Sequence, residues 1–148
     1  NPQIDDLQGT WKPVAEMMSG KAVQGAGAFA DAPIDYDGIR PLRDPSRVPM
    51  DYRWKFSGNT LSSVVGNSEY KGSIELIDAD PPRLKWQMSP KSGHSLEGPT
   101  IHMIHRLRYD EIGQFLEVAF GYESWEFPND MSSTSENGQV WIQFRREE

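Results

Sequence analysis

The chain has 148 residues, 36% of them hydrophobic and 25% charged, with a formal net charge of −7. That length fits one domain with a real core. No apolar run approaches the roughly 20 residues of a membrane-spanning helix, and the acidity disfavours nucleic acid or an anionic membrane as the main partner, since both reward clustered Lys and Arg. Cysteine is absent, which removes disulfides, thiol catalysis and Cys-based zinc sites, while five Trp, five Tyr and six Phe supply large rigid surfaces for a core or a pocket.

The sequence starts at Asn1-Pro2 rather than at Met. A removed upstream segment is expected, either a cleaved export signal or a fragment boundary, and the first of these implies a periplasmic or extracellular protein. Asp5-Asp6 ahead of Leu7 predict a short helical turn with carboxylates near its N-terminus. Gly9 then leads into a strand over Trp11–Met18, where Pro13 lacks a ladder donor and predicts an edge position or a bulge. Ser19-Gly20-Lys21 has the composition of a turn.

Between Ala22 and Met50 the periodicity dissolves into turn chemistry, with Gly25-Ala26-Gly27-Ala28, Asp31-Ala32-Pro33 and Asp35-Tyr36-Asp37-Gly38. A connection of this length is uncommon in a compact domain and is usually a functional lid or a floppy loop. As a lid over a barrel mouth it would pack Phe29, Ile34, Tyr36 and Ile39 downwards.

From Met50 onwards, strands follow in close succession. Tyr52, Trp54 and Phe56 alternate with Arg53 and Lys55, the period-2 pattern of a strand with one buried face. Turns at Ser57-Gly58-Asn59 and Gly66-Asn67-Ser68 bracket Leu61–Val65, and Tyr70–Ile77 ends at Asp78-Ala79-Asp80-Pro81-Pro82. Leu84, Trp86 and Met88 repeat the alternation. After a polar loop over Ser89–Pro99, Ile101, Met103, His105 and Leu107 share one face and His102, Ile104, Arg106 and Arg108 the other. Asp110-Glu111-Ile112-Gly113 connects to Leu116, Val118, Phe120 and Tyr122, and a last strand carries Val140, Ile142 and Phe144. About eight strands joined mostly by short turns predict an all-β, up-and-down antiparallel barrel, a single domain over 1–148 with the 22–50 insert after its first strand. A two-layer β-sandwich is the alternative.

Several of these stretches carry a resemblance. Gly9-Thr10-Trp11-Lys12, Phe56-Ser57-Gly58-Asn59-Thr60-Leu61, the Tyr70–Ile77 strand with Asp78-Ala79-Asp80-Pro81-Pro82-Arg83-Leu84, and Phe144-Arg145-Arg146 together resemble the lipocalin-like domain family of planctomycete bacteria. The resemblance spans most of the chain outside the insert and implies a calycin-type barrel, often exported, whose activity is generally unassigned. It departs at Ser124-Trp125-Glu126-Phe127, which keeps the Phe but not the Arg-Pro pair usual there. It further implies that an Arg near the end of the last strand stacks on the indole of Trp11. Parity selects Arg146, which shares a face with Val140, Ile142 and Phe144.

The chemistry is less distinct. His102 and His105 are three apart and point to opposite faces of their strand, so they cannot share a metal inside a barrel, and His94 lies in a loop; no metal or cofactor is expected. Glu117 lies opposite the apolar face of its strand and is expected to face solvent rather than act as a catalytic acid. No nucleophile elbow, P-loop or dinucleotide fingerprint occurs, and no catalytic residue is assigned. Tyr52, Trp54, Phe56, Trp86, Met88, Met103, His105 and Phe120 are the candidate lining of a ligand cavity, although the same residues would also fill a solid core. The expected function is binding of a small hydrophobic or aromatic molecule, with His105 as polar anchor. Two alternatives stand beside it: an envelope interaction domain using Phe29, Ile34 and Tyr36, or a barrel isomerase or cyclase using His105 as acid or base.

Overall fold

A computed structural model describes residues 3–19, 21–22, 52–65, 68–89, 100–109, 113–121 and 126–147. One helical turn, α1 (Ile4–Leu7), precedes β1 (Gly9–Met18), β2 (Lys21–Ala22), β3 (Tyr52–Ser57), β4 (Thr60–Val65), β5 (Ser68–Ile77), β6 (Arg83–Met88), β7 (Thr100–Tyr109), β8 (Gln114–Gly121) and β9 (Gln139–Arg146). From β3 to β9 each strand pairs antiparallel with the next; β1 pairs with β3 on one side and β9 on the other, so the eight long strands close on themselves. That closure decides for a barrel over a sandwich and leaves no free edge between first and last strand. The two-residue β2 folds back on the end of β1, with Met18 opposite Lys21, an addition to the expected strands.

Strand faces follow the alternation of the sequence. In β3, Tyr52, Trp54 and Phe56 are buried while Lys55 is exposed, and β6 buries Leu84 and Trp86 in the same way. The inward set forms one core running from Leu7 and Trp11 through Trp54, Trp86, Met103 and Val118 to Phe144. Strand β1 departs from strict alternation. Trp11 pairs with Arg146 and Pro13 with Phe144, but Ala15 pairs with Gln143 and Glu16 with Ile142, a register shift that is the bulge expected at Pro13. Past it, Glu16 and Met18 turn inward, while Ala15 and Met17 turn outward against Trp141 and Met131 in a small second cluster.

The end carrying α1 is sealed. Leu7 and Trp11 are fully buried, and the Trp11 indole N–H donates to the Leu7 carbonyl at 2.9 Å. Arg146 lies over the Trp11 ring, 4.3 Å from its centroid, and donates to the Gln114 side chain and the carbonyls of Asp6 and Gln8. Gly9 has a φ of 112°, where a side chain would be strained, and a Cβ there would meet the Arg146 guanidinium at 3.0 Å. Gln8 ties this end to the β3–β4 turn, accepting from the Gly58 N–H at 2.7 Å and donating to its carbonyl at 3.1 Å.

At Gly72 the β6 backbone leaves no room for a side chain: a Cβ at this position would lie 2.1 Å from the Gln87 carbonyl oxygen. Because backbone rather than a flexible side chain is in the way, Gly72→Ala is expected to lower the unfolding free energy by about 1–3 kcal/mol, measured by urea denaturation. Unchanged stability would mean that the two strands separate freely there.

Candidate functional site

Register determines where the inward residues sit along the barrel axis. From Trp11, near the α1 end of β1, in-register partners run through Trp54 and Ser63 to Tyr70, near the start of β5 and hence near the opposite end. Strands in a closed barrel tilt, so each register line climbs in this sense. The line from His105 through Val118 and Ile142 to Glu16 climbs in the same direction. His105 therefore lies low in the barrel, and Glu16 lies towards the end opposite α1. Met18, Met88, Ile101 and Phe120 are only partly buried against the core near that end.

Glu16 is 7% exposed and accepts a hydrogen bond from the Tyr52 hydroxyl at 2.6 Å. Burial pushes the Glu16 carboxyl above the usual carboxylate range, partly offset by the Tyr52 bond, and burial beside Glu16 raises the Tyr52 phenol. Below the pair stand stacked rings. Trp54 packs on Phe144 with centroids 4.6 Å apart and on Trp86 at 5.5 Å, and Tyr52 meets Phe144 edge-on at 6.2 Å. The Trp86 indole N–H donates to the Leu61 carbonyl at 3.1 Å.

All eight candidate lining residues belong to this interior: Tyr52, Trp54, Phe56, Trp86, Met103 and His105 are buried, and Met88 and Phe120 are partly so. Reading the sequence missed Glu16 and the stacking role of Phe144. The signal for Glu16 was Pro13, since a bulge there inverts the parity of everything after it. The proposed lid and the interaction surface at Phe29, Ile34 and Tyr36 lie outside the described residues, as does His94. The strands bounding 23–51, β2 and β3, meet it at the end opposite α1.

His105 is 1% exposed, and neither ring nitrogen has a partner among the described residues. Burial pulls its pKa from 6.5 down to about 4, so the imidazole is neutral at pH 7. The unfolded chain takes up this proton at higher pH than the native protein. The native advantage is thus complete above pH 6.5 and is lost as pH falls to about 4. It amounts to about 3 kcal/mol. The raised Glu16 works in the opposite sense, stabilising at low pH and losing that contribution as pH rises through its native pKa. Comparing urea unfolding across this window isolates the His105 part: His105→Leu is expected to flatten the acid decline, and an identical slope would contradict the buried neutral imidazole.

His102 lies on the outer face, its ring against Phe127 at 5.0 Å, and Arg83 covers the same Phe127 ring at 4.8 Å. Among the described residues, no group of three or more His, Asp or Glu side chains could hold a metal. Glu117 requires a correction. It faces outward, as parity requires, but is 1% exposed rather than solvent-facing. Arg106 donates to its Oε1 at 2.8 Å, Arg108 forms an ion pair with Oε2 at 2.7 Å, and the Trp141 indole N–H reaches Oε1 at 3.3 Å. The outer wall over β7, β8 and β9 thus carries a buried carboxylate flanked by two partly exposed guanidinium groups.

Family models, curated proteins and solved structures offer no match to this chain.

Proposed function

We propose that the barrel binds a small apolar or aromatic molecule in the half of its interior opposite α1, between Trp54, Trp86, Met88, Met103, Phe120 and the Tyr52–Glu16 pair. One observation carries the reading: a carboxylate and a phenol, hydrogen-bonded to each other, are buried inside an apolar, partly aromatic wall. A core built only for stability gains nothing from a buried carboxyl group, whose desolvation is costly, and ligand pockets combine apolar lining with a few placed polar groups. His105, lower in the barrel, is a secondary contact, and acid–base chemistry there lacks a hydrogen-bonded second group among the described residues.

Nile red, a neutral apolar dye, tests this directly. Saturable emission enhancement with one site per chain is expected. Ile101→Trp, which adds bulk beside Trp86 near the end opposite α1, is expected to abolish it. Absence of binding, or binding indifferent to Ile101→Trp, would overturn the reading.

A further inference from the structure

We propose that Asn137 is a conformationally gated modification site, held as the amide while residues 126–138 are seated on the barrel and converted to aspartate and isoaspartate when they open. The site is independent of the binding function proposed above. Asn137 alone among the chain's asparagines precedes a glycine, and a residue without a side chain leaves its nitrogen unhindered towards the Asn137 Cγ. In the reaction, hydroxide takes the Gly138 amide proton, the nitrogen attacks Cγ, and the Cγ–Nδ2 bond breaks as Nδ2 departs as ammonia. Water then opens the cyclic imide at either carbonyl, giving aspartate or isoaspartate. Solvent supplies the only co-reactant.

The folded turn engages every group that this reaction must move. The Gly138 N–H donates to the Thr134 carbonyl at 3.0 Å, which holds its proton. Asn137 Oδ1 accepts from the backbone N–H groups of Thr134 and Gln139, each at 2.9 Å, and Nδ2 donates to Ser132 Oγ at 3.1 Å. The Asn137 N–H donates to Thr134 Oγ1 at 3.0 Å. Asn137 is exposed, so these bonds, and not exclusion of water, hold the amide. They depend on how the segment sits. Gln139, at the start of β9, donates from Nε2 to the carbonyls of Asp130 and Ser132 at 2.9 and 2.8 Å, and its own carbonyl accepts from the Ser133 hydroxyl at 2.6 Å. Met131 packs on the cluster of Ala15, Met17 and Trp141, and Phe127 lies against His102 and Arg83. Opening the segment therefore releases Asn137 and Gly138 together. Isoaspartate adds a methylene to the main chain between Thr134 and Gln139, so their N–H groups no longer converge on one acceptor and the segment does not reseat as before.

Peptide mass spectrometry of the full chain, incubated at mildly alkaline pH either folded or in urea, measures conversion at residue 137. The folded protein is expected to convert about tenfold or more slowly, because the reaction waits on local opening against several hydrogen bonds. Ser132→Ala with Thr134→Ala, which removes two side-chain partners of Asn137, is expected to speed the folded reaction several-fold and leave the rate in urea unchanged. Equal rates folded and in urea, or a folded rate indifferent to the double substitution, would overturn the gating. Hydrogen exchange tests the consequence: the Thr134 and Gln139 amides are expected to exchange faster in isoaspartate-converted protein than in Asn137→Asp, which keeps the acceptor without lengthening the chain. Equal protection would overturn the failure to reseat. The wild-type comparison decides the gating even if the double variant does not fold.

Discussion

Trp11→Ala is expected to lower the unfolding free energy by about 3–5 kcal/mol, the cost of removing a large ring from a packed core. Trp11 is fully buried, stands where β1 pairs with both β3 and β9, and carries Arg146 on its face and the Leu7 carbonyl on its indole N–H. Removing the ring opens a cavity and strips the guanidinium of its platform at the seam that closes the barrel. Arg146→Ala alone costs less, about 1–3 kcal/mol, because Trp11 stays packed. The two losses overlap, so the double variant should fall short of their sum. Equilibrium urea unfolding measures all three. Additive losses would show that Arg146 and Trp11 act independently.

The second large effect is on the outer wall. Glu117→Ala leaves Arg106, Arg108 and the Trp141 indole facing an empty site, and removing one partner of a buried ionic group costs about 3–5 kcal/mol. Arg106→Ala is milder, since Arg106 is a quarter exposed and Glu117 keeps Arg108. Replacing the whole set, with Glu117→Leu, Arg106→Met and Arg108→Met together, should recover most of the loss, because no charge is left unpaired. Thermal or urea unfolding of the series decides. A triple variant as unstable as Glu117→Ala would show that the layer contributes through pairing rather than merely avoiding a penalty.

Much of this fold is legible in the chain because most strands keep one face wet. The alternation of Tyr52, Trp54 and Phe56 with Arg53 and Lys55 gives both the strand and its inner face, and the parity of the last strand is enough to select Arg146 over Arg145 as the cation on Trp11. Two features escape for separate physical reasons. In β1, alternation counted from Trp11 would turn Ala15 and Met17 inward and Glu16 outward. The register shift after Pro13 reverses this and delivers the one inward carboxylate of the described residues. Pro13 announces a bulge, but pattern alone does not fix where the extra residue falls. At Glu117 parity gives the correct face, yet parity says nothing about what lies on that face. Its burial comes from Arg106, Arg108 and Trp141, whose convergence depends on three-strand registry.

The inward placement of the candidate lining residues was legible for the same reason as the strands. Their division into levels was not, because strand tilt separates His105 from Glu16 although one register line joins them. In the proposed binding function, that separation moves the polar contact from the histidine to the Tyr52–Glu16 pair.

The chain's own tryptophans report on the central claim. In 15N-labelled protein, Nile red is expected to shift the indole N–H resonances of Trp54 and Trp86 while Trp141, on the outer wall, stays in place. Movement of Trp141 with Trp54 and Trp86 unmoved would place the ligand outside the barrel and contradict the account.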